Sequence, residues 1–196
     1  MDILRAADAL TMPWKNGGGS TTEIAAGPPG ASLDKFDWRV SMARVAADGP
    51  FSHFAGVDRT LAVVTGSGLV LRIDNRPPIT LAADSEPVSF PGDAPTHAQL
   101  TQGEITDLNV MTRRGRFRHS LQRIIQPVSH DLAGDAGIAI VVSLHGRTTA
   151  STTQASDILD HGDAAIVHRG NETRIRIEPG ATAICYLVLL SEARTA

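Results

Sequence analysis

The 196-residue sequence contains one cysteine, Cys185. A single thiol can neither close an internal disulfide nor build a thiolate metal cluster. It lies in the apolar run Ile184-Cys185-Tyr186-Leu187-Val188-Leu189-Leu190, where it reads as a small core residue and not a nucleophile. Aromatic residues make up only 4% of the chain, so a stable core must rest on Val, Ile, Leu and Ala. There is no surplus of positive charge. The formal net charge is −3, and the basic stripe on which nucleic-acid binding depends is missing. No apolar run approaches the ~20 residues of a membrane-spanning helix. Met1-Asp2-Ile3-Leu4-Arg5 opens no signal-peptide apolar region. These absences predict a cytoplasmic protein without nucleic-acid or membrane partners. The length suits one large domain or two small ones, with room for a real core.

Signatures of catalysis are also sparse. There is no nucleophile elbow, no spaced pair of carboxylates and no activated cysteine. His97, His119, His130, His145, His161 and His168 show no metal-like spacing. Convincing amphipathic helices are few. Arg118 to Gln126 is predicted to hold a short helix, and Asp2 to Leu10 a helical turn.

What the chain has in quantity is period-two alternation broken by turn residues. Trp38-Arg39-Val40-Ser41-Met42-Ala43 reads as a strand. Leu61-Ala62-Val63-Val64 and Leu69-Val70-Leu71-Arg72-Ile73 flank Thr65-Gly66-Ser67-Gly68, which predicts a hairpin. Val88-Ser89-Phe90 runs into Pro91-Gly92-Asp93. Ile105 to Met111 alternates, with Asp107, Asn109 and Met111 on one face and Leu108 and Val110 on the other. Further strands follow Pro127: Ile138 to Leu144, Ala164 to Val167, Thr173 to Ile177 and Ala183 to Leu190. Many short, evenly spaced strands indicate a sandwich or barrel. A faint echo links the halves: strand, Gly66, strand and Gly92-Asp93 in the first, strand, Gly146, strand and Gly162-Asp163 in the second. It predicts two similar barrels joined near residues 112 to 135.

One stretch stands apart from this alternation, Met12-Pro13-Trp14-Lys15-Asn16-Gly17-Gly18-Gly19-Ser20. Its glycines lack the Gly-Lys-Ser/Thr ending and the βαβ setting of a phosphate-binding loop. They do let the backbone approach something bulky and adopt positive φ. The segment is predicted to cross the mouth of the first barrel, with Trp14 as a flat apolar wall, Lys15 as a cation and Asn16 as an amide. The alternative is that Trp14 plugs a barrel end and the glycines only turn the chain.

From Pro13 to Ala25 this stretch resembles the opening signature of the HutD/Ves family. Similar segments follow in order: Trp38-Arg39-Val40-Ser41, Asp48 through Leu61, Asp107-Leu108-Asn109-Val110-Met111 with Arg113-Arg114-Gly115, Ser143-Leu144-His145-Gly146, and Gly162-Asp163-Ala164. The resemblance spans nearly the whole chain. It implies an all-β bicupin, two cupin-like β-barrels in one chain with few short helices. The predicted division is 1–112 for an N-terminal barrel with the ligand pocket, and 113–196 for a linker and a mainly structural C-terminal barrel that offers a homodimer surface. It also implies a role in histidine utilisation, as a modulator that senses an intermediate such as urocanate.

Set against the metal-binding cupin motif, with Gly66 as the closing glycine, the Glu position falls on Arg59 and the two His positions on His53 and Ala55. The later His position falls on Thr96, with His97 one place late; the second half offers Ala139 and Thr173. A guanidinium in place of a carboxylate repels a divalent cation, so neither a metal nor any other cofactor is expected. A barrel that carries an interior arginine instead becomes an anion site, since the planar fork matches a carboxylate. The predicted ligand-binding residues are Trp14, Lys15, Asn16, His53, Arg59, Asp107 and Asn109, and no catalytic residue is assigned. Arg59 is the predicted anchor, with a salt bridge to Asp58 or Asp107 as the structural alternative. Asp107 and Asn109 either line the pocket or form a buried network. Glu23 is placed to counter Lys15 or Arg59. The leading function is metal-independent binding of a small carboxylate such as urocanate. The alternatives are an isomerase or hydrolase acting on a similar acid through Lys15, His53 and Asn109, and a protein-interaction module without a ligand.

Overall fold

Alternation of apolar and polar residues is what a strand with one buried face requires, and the described part of the chain is almost wholly β. The computed structural model describes residues 1–14, 17–132, 137–170 and 172–193. Among these the helical element is one 3-10 turn at Ala6–Asp8, so no helix is long and apolar enough to cross a membrane. The strands in chain order begin with β1 (Asp2–Leu4), β2 (Thr11–Pro13), β3 (Gly19–Gly27), β4 (Trp38–Val45), β5 (Gly49–Pro50) and β6 (Val57–Thr65). They continue with β7 (Leu69–Ile73), β8 (Ile79–Leu81), β9 (Val88–Pro91), β10 (Thr96–Leu100), β11 (Ile105–Arg113) and β12 (Phe117–Ile124). The last are β13 (Val128–Asp131), β14 (Ile138–His145), β15 (Thr148–Ser151), β16 (Ser156–Leu159), β17 (Ala164–His168), β18 (Arg174–Pro179) and β19 (Ile184–Glu192).

The chain divides into two compact units, one of Leu10–Arg116 and one of Met1–Ala9 with Phe117–Ala196. The first unit has a larger sheet, β2-β3-β4-β11-β6-β9, and a smaller one, β5-β10-β7-β8. The second has β1-β17-β14-β19-β12 and β13-β18-β15-β16. The order β4-β11-β6-β9 recurs as β12-β19-β14-β17, and β5-β10-β7-β8 as β13-β18-β15-β16. The repeat is therefore topological and complete over eight strands per unit. Its Gly-Asp marker is not in register, because Gly92-Asp93 follows β9 whereas Gly162-Asp163 precedes β17.

Each unit closes its two sheets over a separate core. Leu61, Val63, Leu69, Leu71, Ile73 and Ile105 fill the first; Val141, Val167, Ile175, Ile177, Cys185 and Leu187 fill the second. Burial pushes the Cys185 thiol up to about 11, which keeps it in the inert thiol form.

Three local expectations are corrected. The segments flanking Gly66-Ser67-Gly68 form no hairpin: β6 pairs with β11 and β9, whereas β7 pairs with β10 and β8. The glycines carry the chain from one sheet to the other, at φ of +92° and +102°. Residues 118–124 are strand and not helix, because all of β12 pairs with β19; a long ladder overrides the local 3.6-residue spacing of Leu121 and Ile124. The third concerns the border of the units, predicted at 112/113. Asp2, Ile3 and Leu4 pair with Ile166, Ala165 and Ala164, which places the first strand in the second unit. Arg5 donates to Asp163 and Asp157 at 2.8 and 2.9 Å, and the Ala6 amide donates to Asp163 at 2.8 Å, fastening the segment there.

Candidate functional site

Strand β11 lies between β4 and β6, and its register decides which side chains meet. Asp107 stands opposite Ala43 and Val63, Asn109 opposite Ser41 and Leu61, and Met111 opposite Arg39 and Arg59. Directly opposed residues share a face. Ala43, Leu61 and Val63 belong to the core cluster of the first unit, so this face is the interior of the barrel. Leu108 and Val110 on the other face are fully buried as well. The polar face of β11 is thus not its solvent face.

The result is a charged network inside an apolar barrel. Arg59 is 7% exposed and Arg39 4%. Arg59 Nη2 donates to Asn109 Oδ1 at 2.8 Å, and Nη1 reaches the Ser52 carbonyl at 3.5 Å. Asn109 Nδ2 donates in turn to Asp107 Oδ1. Three phenyl rings surround the Arg59 guanidinium, Phe51 at 4.9 Å, Phe90 at 5.3 Å and Phe54 at 5.7 Å from its central carbon. Such contacts stabilise a cation that has lost its water. Arg39 Nε donates to Glu23 Oε2 at 2.7 Å, and its Nη1 lies 3.4 Å from Ser41 Oγ. One buried donor on each arginine has no partner among the described residues: Nε of Arg59 and Nη2 of Arg39. A buried donor left without an acceptor costs about 1–3 kcal/mol, and more on a charged group. Their strands lie two ladder spacings apart, about 10 Å, which two arginine side chains can converge across.

Burial lowers Arg59 to about 10, helped by the like charge of Arg39 and opposed by Asp107. Arg59 stays protonated at neutral pH. Burial acts harder on Asp107, which is 1% exposed, and pushes it up to about 7 against the pull of Arg59 and the Asn109 hydrogen bond. The folded state therefore holds this proton over a range in which the unfolded chain has lost it. Asp107 costs nothing below the ordinary 3.8, costs progressively more as pH rises, and imposes its full penalty above about 7. That gap sets a ceiling on the order of 4 kcal/mol. Asp107→Asn is expected to flatten stability between pH 5 and 8, so that the variant gains on the wild type as pH rises. Urea unfolding followed in the β11 amides by hydrogen exchange measures this; parallel pH profiles would refute it.

The structure joins Arg59, Asp107 and Asn109 in one network. Arg59 pairs with neither Asp58 nor Asp107 directly; Asp58 holds Arg114 at 2.8 Å instead. His53 is exposed, although its neighbours Ser52 and Phe54 both meet Arg59. Trp14 lies at the far end of the same face. Its indole donates to Thr21 at 2.8 Å, and Thr21 and Gly19 stand opposite Ala43 and Val45, at the level of Asp107 and Ile105. It packs on the core there, away from the Arg59 row. Lys15 and Asn16 lie outside the described residues. Glu23 pairs with Arg39, not with Arg59. Sequence reasoning missed Arg39, Glu23 as its partner, and the three phenylalanines. The available signal was Arg39-Ser41-Ala43, the same polar alternation as Asp107-Asn109-Met111. The set of side chains, two guanidiniums, an amide and a hydroxyl with two acids, of which Glu23 is already paired with Arg39, fits an anion and not a divalent cation. Among the described residues no three His, Cys, Asp or Glu side chains gather as a metal site.

Comparison with known proteins gives this geometry its context. A cupin 2 conserved barrel domain protein from Leptotrichia buccalis superposes with a TM-score of 0.52 at 13% identity, covering 96% of this chain and 91% of its own; at that identity it establishes the fold alone. HutD from Pseudomonas fluorescens SBW25, solved in a formate condition, matches with a TM-score of 0.84 and 31% identity over 98% of this chain and 99% of its own. An uncharacterized 21.2 kDa protein from the hutC 3' region of Pseudomonas putida is 37% identical over 153 residues, 75% of this chain and 80% of that protein. The HutD family model matches residues 6–185. The chain is an all-β protein of cupin fold, and it belongs to the HutD family.

Proposed function

We propose that the first unit binds a small carboxylate between Arg39 and Arg59, and that the protein modulates histidine utilisation by holding urocanate or a related pathway intermediate. The observation that carries this is the pair of buried guanidiniums on the barrel wall, each with one nitrogen lacking an acceptor. A carboxylate offers two oxygens and a negative charge, so one bound anion satisfies both donors. Family membership and the hut-region name of a relative support the pathway. The phenyl rings around Arg59 favour a flat, partly apolar ligand over a fully hydrated one.

Calorimetric titration of urocanate into the wild-type protein is the test, with formate and N-formylglutamate alongside and the ligand recovered and checked for chemical change. Saturable binding with intact ligand is the expected result. Conversion of the ligand would turn the reading into an isomerase or hydrolase. Absence of binding by all three would return both arginines to a structural role.

A further inference from the structure

We infer that this site takes up its ligand together with one proton, held by Asp107, and that it is therefore matched to a monocarboxylate and not a dicarboxylate. The inference rests on the carboxylate-binding reading above and adds the ligand's charge class and the site's response to pH.

Charge inside an apolar enclosure governs what can enter. Four ionisable groups face the interior around Asn109. Strand β3 supplies Glu23, β4 supplies Arg39, β6 supplies Arg59 and β11 supplies Asp107. Strand β9 adds Phe90, and the smaller sheet adds Leu69, Leu71, Ile73, Leu81 and Ala98, all apolar. Glu23 is in direct contact with Arg39 at 2.7 Å and is half-buried, so water reaches it. Asp107 differs on both counts. It is fully enclosed, and the Asn109 amide stands between it and Arg59. Asp107 is thus the member of the group that can lose its charge without breaking an ion pair.

With Asp107 ionised, the two arginines and two acids sum to zero. A carboxylate entering then leaves one uncompensated negative charge in a medium that solvates it poorly. With Asp107 protonated, the group carries one positive charge, and a single carboxylate neutralises it. The neutral acid still accepts the Asn109 N–H through Oδ1, so the network does not rearrange. Ligand and proton therefore stabilise each other reciprocally. Burial has already raised Asp107 to about 7, so the coupling falls in the neutral range. A second carboxylate on the ligand restores the imbalance even when the proton is bound.

Crotonate and fumarate test this, since they share a planar skeleton and differ by one carboxylate. Each is titrated by calorimetry at pH 6, 7 and 8, in HEPES and in Tris, whose different heats of ionisation reveal the protons exchanged. Crotonate is expected to bring in close to one proton per site at pH 8 and far fewer at pH 6. Its affinity should fall towards about tenfold per pH unit above neutrality. Fumarate should bind at least about tenfold more weakly throughout. Asp107→Asn should bind crotonate with no proton uptake and with flat pH dependence. Crotonate binding at pH 8 without proton uptake in the wild type, or fumarate binding as tightly, overturns this inference and leaves carboxylate binding standing. Binding of N-formylglutamate, a dicarboxylate, without crotonate likewise overturns this inference alone; failure of crotonate, urocanate, formate and N-formylglutamate alike at every pH overturns both. The wild-type measurement needs no variant, so a poorly folded Asp107→Asn protein would not shelter the inference.

Discussion

Arg59→Met is expected to cost about 2–5 kcal/mol of carboxylate affinity, a factor of roughly 30 to several thousand, while leaving the protein folded. Methionine keeps the unbranched stem and most of the volume of arginine and fits among Phe51, Phe54 and Phe90. It removes the fork and the charge. If Arg59 were present for stability, deleting one partner of a buried charged network would cost about 3–5 kcal/mol of folding free energy. The network argues otherwise. Arg59 has no carboxylate in direct contact, one donor without an acceptor, and a proton affinity lowered by burial. Its removal relieves that desolvation, and Asp107 can remain protonated once the cation is gone. Stability should stay within about 2 kcal/mol of wild type. Titration of urocanate and urea unfolding on the same preparations separate the two. Intact affinity with a large loss of stability would make Arg59 a structural residue. Arg59→Lys should fall between, because a point charge replaces the planar fork.

The largest expected loss of stability comes from a single methyl group at Gly68. A Cβ there would lie 2.2 Å from the Leu81 carbonyl oxygen, at a φ of +102° that residues with side chains rarely adopt. The surroundings cannot yield. Leu69 and Leu81 are paired across β7 and β8, and the Gly68 carbonyl accepts from the Thr101 amide at 3.0 Å and its hydroxyl at 2.8 Å. Backbone strain contributes about 1–3 kcal/mol, and displacement of a ladder strand adds to it. Gly68→Ala is expected to lose more than about 4 kcal/mol, concentrated in the first unit. Gly103→Ala is the matched comparison, with φ +67° and no atom within 4 Å, and it should lose about 1 kcal/mol. Hydrogen exchange in β7 and β8 resolves the unit concerned, which a single melting curve for two units does not. Equal protection in the two variants would show that the sheet crossing tolerates a side chain.

These two positions also show what a sequence can and cannot reveal. Gly66-Ser67-Gly68 announces a reversal between apolar runs, and a reversal is present. A hairpin and a passage between facing sheets need the same glycines at positive φ, however, and partner strands are chosen by residues far along the chain. Arg118 to Gln126 failed for a related reason: Leu121 and Ile124 fit a helical stripe, and only β19, some sixty residues later, makes the segment a strand. The period-two runs themselves were readable because burial of one face leaves its mark on every second residue. The candidate site divides in the same way. Arg59, Asp107 and Asn109 were visible as polar residues out of place on apolar strands. Arg39 was not, nor was Glu23 as its partner, since an alternating charge in a strand normally marks solvent, and only the pairing of β4 with β11 turns that face inward. The aromatic ring of contacts was hidden because Phe51, Phe54 and Phe90 are scattered in sequence and meet only around Arg59.

The placement of β1 has a consequence for how the chain is made. Leu10–Arg116 is a continuous stretch and can complete its barrel as soon as it leaves the ribosome. Asp2–Leu4 precedes that stretch but must wait for Ala164–Ile166. Once Arg116 has been added, about fifty residues remain before Ile166, which at about 5–20 residues per second takes roughly three to ten seconds. Through that interval a short strand with a bare edge travels ahead of a finished domain, and the second barrel closes by recovering a segment made before the first.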